Sequence, residues 1–483
     1  MSGKMDQAVY TRGPIGKTMM KTAFAMVAGT LAMSGYNIAD TFFVGQLHSE
    51  IPLAAMGFTF PVIMLIGCVF RGLGVGVMTT AAQALGGGRH GRAARLASSG
   101  LVLVLLFSVV LAVLGMMTIN GTFECFGARG EALTEVKKYM NIWYFGCATA
   151  SLSMVGNDLL IAAGDSRVAS GMMMAGMIVN VILDPLFIFG IGPFPAMGIS
   201  GAALATIFSQ LLATVTLLWL LYRRHKLIVL EMMPWRQLRA AWMLMIRFAI
   251  PAALGMLLMP IGSAVITRIT AEFGNTAVAA TAAAGRLEMV AFIFPMALGI
   301  SLLPMVGQNY GARLYSRINQ CRRFALRFAF WYLLGMAGIY FVFAPQLVRF
   351  FSADPGVREI MVIYMRIIPF GFGMIEIHRY SGFFFTGCGL PSIAAWLNAL
   401  RILGLMIPLS LLALWLGSLA GLFWARLAAD LLAGGIGWYC ASKMTRRLPA
   451  DGEPPPVRSA GQGWRRMLPR RLLALAEAKS NLG

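Results

Sequence analysis

The sequence predicts an all-α polytopic membrane protein: twelve transmembrane helices in two six-helix lobes related by a parallel internal repeat, with both termini cytoplasmic. Three observations carry this expectation. Of 483 residues, 58% are hydrophobic and only 12% charged, with a mean hydropathy of +0.74, whereas a water-soluble domain is about a quarter charged. About 20 mostly apolar residues cross a bilayer, and twelve such segments fit between residues 17 and 444. Sliding the sequence on itself by 225 residues lays Ala54-Ala55 on Ala279-Ala280, Leu73-Gly74 on Leu298-Gly299, Gln83 on Gln308, Gly86 on Gly311 and Arg92 on Arg317.

In chain order, the first helix, 19–45, follows a polar stretch with no apolar run ending in a cleavage site, so it does its own targeting. The second, 52–82, runs into a Gly-rich turn near Gly86, and Arg89, Arg92 and Arg95 precede the third, 96–120. Helices at 136–163, 168–192 and 197–222 complete the first half, with Arg167 in the turn between the first two of these. A basic connection holds Arg223, Arg224, Lys226, Arg236 and Arg239. The second half follows at 243–272, 277–309, 324–350, 359–388, 392–416 and 418–444. The resulting organisation is an N-terminal lobe at 1–222, a cytoplasmic linker at 223–242, a C-terminal lobe at 243–444 and a basic tail at 445–483. The shift of 225 residues spans six helices, an even number. The two halves therefore share one topology, which favours a transporter whose halves rock about a cavity.

Charge fixes the orientation. The net charge is +21, but in a membrane protein the question is where the positive residues lie. Twenty-seven of the 40 Lys and Arg fall on the side of the N-terminus and five on the other, counting Arg129, Lys137, Lys138, Arg349 and Arg358. The excess marks the cytoplasmic side, and no nucleic-acid partner is needed to explain it. The six cysteines lack metal spacing and sit mostly in apolar runs, as small hydrophobes do. The tail ends in WRRMLPRRLLALAEAK, which suits either an interfacial helix on anionic membrane lipids or a solvated basic extension.

Several motifs fail. TRGPIGKT at 11–18 has Thr11 where a phosphate-binding loop needs its first Gly, and too little chain precedes it for a strand. Gly72, Gly74 and Gly76 lie mid-bilayer, where small residues let helices approach. The four histidines give no zinc spacing. With no ATPase machinery, transport must run on an ion gradient or a partner, and no cofactor is expected.

A carboxylate at bilayer depth costs about 2.5–3.5 kcal/mol on insertion scales, so each one is a functional candidate. The N-terminal half has Asp40, Asp158 and Asp184. Tyr36 and Asn37 share the helical face of Asp40, and Asn180 lies one turn before Asp184. Pro185 withholds a donor from the carbonyl of Val181. Asp40, Asp184, Tyr36, Asn180 and Asn157 are expected to form a polar pocket. For Asp158 two readings stand, a place in that pocket or an ion pair with Arg71. Under the 225-residue shift Asp40 falls on Val265 and Asp184 on Leu409, so the pocket has no twin. The C-terminal half instead carries Arg268, Arg286, Glu288, Arg366, Glu376, Arg379, Arg401, Arg426 and Asp430. Spacing pairs Glu376 with Arg379 and Arg426 with Asp430. Glu376, Arg379, Arg286 and Glu288 are candidates for a cavity wall.

The runs ADTFFVG (39–45), NVILDPLFIFGIG (180–192), GISGAALAT (198–206) and GQNYGA (307–312) resemble the multidrug and toxic compound extrusion family, most closely its DinF-like prokaryotic branch. The resemblance covers about 15 to 445. It implies a bacterial inner-membrane exporter, not an enzyme, that moves amphipathic and mostly cationic compounds outward against H+ or Na+. It also assigns ion coupling to the acids matching Asp40 and Asp184, with Tyr36, Asn157 and Asn180 as neighbours. A sodium ion would sit at Asp40, Asn180 and Asp184. No acid matches the one other branches carry midway along the seventh helix, where residues 257–262 read LLMPIG. A monomer is expected. A lipid or polysaccharide flippase of the same superfold is the alternative, and a non-transporting scaffold or receptor the second.

Overall fold

The computed structural model describes residues 8–47, 50–231 and 233–454, with the side chains of Met33, Ser34, Asn37 and Ile38 outside the described set. All regular structure among these residues is helical. A short turn, Val9–Thr11, leads into α1 (Ile15–Gly45), α2 (Ile51–Gly86), α3 (His90–Cys125), α4 (Gly130–Ala162), α5 (Ser166–Phe189) and α6 (Ile199–Arg223). The second half comprises α7 (Trp235–Ala271), α8 (Asn275–Gly311), α9 (Tyr315–Arg349), α10 (Pro355–Gly387), α11 (Pro391–Trp415) and α12 (Leu419–Thr445). Helices α2 to α12, eleven in all, are long and apolar enough to cross a membrane.

Several helices begin before their apolar segments do. The third starts at His90 rather than 96, the ninth at Tyr315 rather than 324, and the seventh at Trp235, which takes in Arg236 and Arg239. A 36-residue helix such as α3 is about 54 Å long, against a hydrocarbon core of about 30 Å. Hydropathy detects the slab, while the helix continues into the headgroup layer on turns rich in Arg. Side-chain caps fix other ends. Asp165 accepts from the amide of Val168 at the start of α5, Asp354 from that of Val357, and Ser418 from that of Gly421. Gly190, at φ +72°, ends α5 in the left-handed region.

Packing obeys the repeat. In the first half α1 lies on α5, α2 on α3 and α4, α3 on α4, and α6 on α4 and α5. Adding six to each number gives the contacts of the second half. The contacts between halves obey the same rule, since α2 packs on α7 and α8 on α1, with α2 and α8 crossing at the centre. At that crossing a Cβ on Gly86 would lie 1.9 Å from the carbonyl oxygen of Gln308, and one on Gly311 would lie 1.9 Å from that of Gln83. Glycine at both positions is what lets the two backbones touch.

A reciprocal pair of hydrogen bonds closes the same end. Gln83 Nε2 donates to the carbonyl of Gly387 at 2.9 Å, and Gln308 Nε2 to that of Ala162 at 2.8 Å. Both donors and both acceptors are related by the 225-residue shift. The N-terminal segment breaks the symmetry by wedging in beside Gln308. The Tyr10 amide donates to Gln308 Oε1, Asn309 Nδ2 donates to the Tyr10 carbonyl, and the Tyr10 hydroxyl donates to the carbonyl of Ile161 at 3.1 Å. Burial pushes that hydroxyl up to about 12, so it stays protonated. These contacts join the halves at the face that carries Arg89, Arg92, Arg313 and Arg317.

Candidate functional site

In the N-terminal half Asp40 (α1) and Asp184 (α5) are both buried and in mutual contact. Asn180 Nδ2 donates to Asp184 Oδ1 at 3.2 Å from the preceding turn. Thr206 of α6 also lies within hydrogen-bonding reach of Asp40. The Tyr36 hydroxyl lies 3.0 Å from Ser209 Oγ and 3.3 Å from the carbonyl of Thr206, which ties α1 to α6. Tyr139 of a fourth helix, α4, is buried in the neighbourhood of both acids. Four buried oxygens in this group lack a hydrogen-bond partner: Asp40 Oδ1, Asn180 Oδ1, Asp184 Oδ2 and Thr206 Oγ1. Buried polar atoms are ordinarily satisfied. A cluster rich in acceptor oxygens, holding two carboxylates, is a place for protons or a small cation.

Asn157 and Asp158 lie elsewhere. They line a separate cavity of about 340 Å³ with Arg71, Gln210 and Met173, and Tyr36 borders this cavity as well as the acid pair. Asp158 and Arg71 share the cavity, where the guanidinium acts on the carboxylate through its charge, and Gly74 leaves room for the aspartate Oδ2. Met26, Met154, Met172, Met173 and Met177 make much of the remaining wall, so part of the Met-rich run at 171–174 faces this space. Asn37, expected beside Asp40, falls outside the described side chains.

The C-terminal half holds a cavity of about 470 Å³. Of the four residues expected to line it, Glu288 does so. Arg286 is exposed and outside its wall, and Glu376 and Arg379 are also outside. Glu376 is fully buried and pairs with Arg379 at 3.1 Å, as the spacing predicts, while the guanidinium lies over the ring of Phe292. The other expected pairing, Arg426 with Asp430, is also present but is the longest link of a wider network. Arg401 takes Asp430 at 2.7 Å, and Arg426 takes Glu288 at 2.5 Å, leaving Arg426 and Asp430 at 3.9 Å. Spacing rules compare residues of one helix, but both arginines found a nearer acid on another. Tyr139, Thr206 and Ser209 were missed altogether, because a neutral hydroxyl in an apolar helix resembles ordinary packing. Only their approach to Asp40 and Tyr36 in space distinguishes them.

Comparison with known proteins bears on the fold and its repeat. The MatE family model matches residues 25–186 and again residues 251–412, so the two starts lie 226 residues apart. A protein of Shewanella oneidensis described as an FAD transporter is 35% identical over 445 residues, covering 92% of this chain and 98% of its own. The multidrug export protein MepA of Staphylococcus haemolyticus is 23% identical over 93% of this chain and 98% of its own. The crystal structure of the Vibrio cholerae MATE transporter VcmN in its bent form superposes with a TM-score of 0.84 at 27% identity, covering 92% of this chain and 99% of that one.

Proposed function

The chain belongs to the MatE family, and from that premise we propose that it is a secondary active exporter, moving organic compounds out across the bacterial inner membrane in exchange for protons flowing in. The contact between Asp40 and Asp184 carries this reading. Two carboxylates side by side and out of water cannot both stay charged, so the pair takes up protons when the pocket opens to an acidic side. A carboxylate that takes up a proton becomes a donor to the oxygens that lack partners, and the bond from Asn180 to Asp184 and the approach of Thr206 to Asp40 change with it. Those residues, with Tyr36, stand on α1, α5 and α6, so a proton at one carboxylate biases how three helices pack.

Positive-inside sorting puts the basic face, and both termini, in the cytoplasm. The glutamine bonds and the Tyr10 wedge then seal the cytoplasmic side, which is the state that awaits protons and releases substrate outward. The same four oxygens also suit Na+, so the test runs both gradients. In proteoliposomes an imposed pH gradient is expected to drive transport, and Asp40→Asn is expected to abolish it at matched protein amounts with insertion intact. Sodium-dependent, pH-indifferent exchange would overturn the proton reading.

For substrate, the 35% relative makes a flavin dinucleotide the first candidate. Amphipathic cations come second, supported by the multidrug exporters at lower identity and by the C-terminal arginines being largely paired. Transport is assigned to a monomer.

A further inference from the structure

The C-terminal cavity contains two buried groups whose hydrogen bonding is incomplete. Arg401 is 5% exposed. Its Nε and Nη2 both donate to Asp430 Oδ1, at 2.9 and 2.7 Å, but its Nη1 meets only the sulfur of Met259 at 3.8 Å. Ser410 is fully buried, and its hydroxyl has no partner. Both residues line the cavity.

They share that wall because α11 is not a regular helix. Arg401 and Ser410 are nine residues apart, which in an α-helix places them about 180° apart, on opposite faces. From Leu400 to Met406 the helix is wound as π. This wider winding rotates the two side chains towards one side, and such segments concentrate at functional sites.

The remaining polar groups narrow the ligand. Glu288 lines the cavity, but both its oxygens are engaged, Oε1 by Arg426 Nη2 and Oε2 by the hydroxyl of Tyr364 at 2.8 Å. The wall offers a cation no free carboxylate. A guanidinium edge and a hydroxyl both need an acceptor, and Tyr364 and Phe423 supply aromatic surface in the wall of the same cavity.

The geometry points to a binding site for the oxyanion group of an amphipathic organic substrate, a phosphate or carboxylate held by Arg401 Nη1 and Ser410 Oγ with its apolar part against Tyr364 and Phe423. The inference rests on the export reading above and assigns the substrate's anionic end to the half that lacks the coupling acids.

The test titrates the purified full-length protein with FAD, with riboflavin, which has the same ring system without phosphates, and with the cation ethidium, each followed by fluorescence. FAD is expected to bind more tightly than riboflavin. Ser410→Ala and Arg401→Lys should each weaken FAD by about tenfold, the scale of one hydrogen bond to a charged group, and leave riboflavin and ethidium unchanged. Lysine keeps a charge facing Asp430 but gives up the Nη1 edge; if that variant melts early, Ser410→Ala decides alone. Equal affinity for FAD and riboflavin, or FAD binding untouched by Ser410→Ala, overturns the site. Titration needs no gradient, so Asp184→Asn is expected to keep FAD binding while losing transport. Gradient-driven transport that persists in Asp184→Asn sinks the coupling role of that acid alone, and wild-type protein that shows no gradient-driven transport sinks the export reading while leaving the titrations to decide the site.

Discussion

Asp40 and Asp184 sit so close that each sets the charge the other can carry. Removing either one therefore removes most of what the pair does. The double variant Asp40→Asn/Asp184→Asn is expected to transport no worse than the poorer single, since residues acting as one unit give non-additive losses. Defects that multiply in a transport assay would assign the two acids to separate steps. Asp40, Asn180 and Asp184 were legible in the sequence because an acid or amide at bilayer depth has few innocent explanations. Tyr139 and Thr206 were not, because nothing marks a hydroxyl as functional until a carboxylate is found beside it. Asp158 shows the limit from the other direction. Its sequence neighbour Asn157 follows it into the same cavity, yet neither joins the Asp40–Asp184 pair.

At the level of elements, helix number and order were legible and helix ends were not, because hydropathy stops at the hydrocarbon boundary. The π-wound stretch of α11 was invisible for a related reason, since residues 400–406, LRILGLM, read as an ordinary apolar helix. The turn joining α6 to α7 makes a prediction of its own. Burial lowers the His225 ring below its usual 6.5, against the opposing pull of Asp165, which pairs with Arg224 at 3.1 Å and lies 3.3 Å from His225 Nε2. A depressed histidine is neutral in the folded protein and takes up a proton more readily when unfolded. The stability it supports is present above about 6.5 and is lost as pH falls. The melting temperature should drop on acidification through this range, and His225→Gln should flatten the dependence. An unchanged slope in that variant would exclude His225 as its source.

Across the whole molecule, the halves differ in chemistry and agree in architecture: acids govern one pocket, arginines line the other, and the contacts closing the basic face repeat across the 225-residue shift. Gln83→Ala and Gln308→Ala each remove one of the two bonds to a partner-half carbonyl. Each should raise the labelling rate of cysteines placed in the cavity from the cytoplasmic side. The effect should be larger at Gln308, whose Oε1 also holds the Tyr10 amide. Equal rates in wild type and both variants would mean that the glutamines do not hold the face shut. The duplication thus gives this protein an internal control. A substitution at 83 can be repeated at 308, and one at 86 at 311, in nearly the same backbone setting. What the two members of such a pair share belongs to the ancestral scaffold, and what differs between them measures how far each half has since specialised.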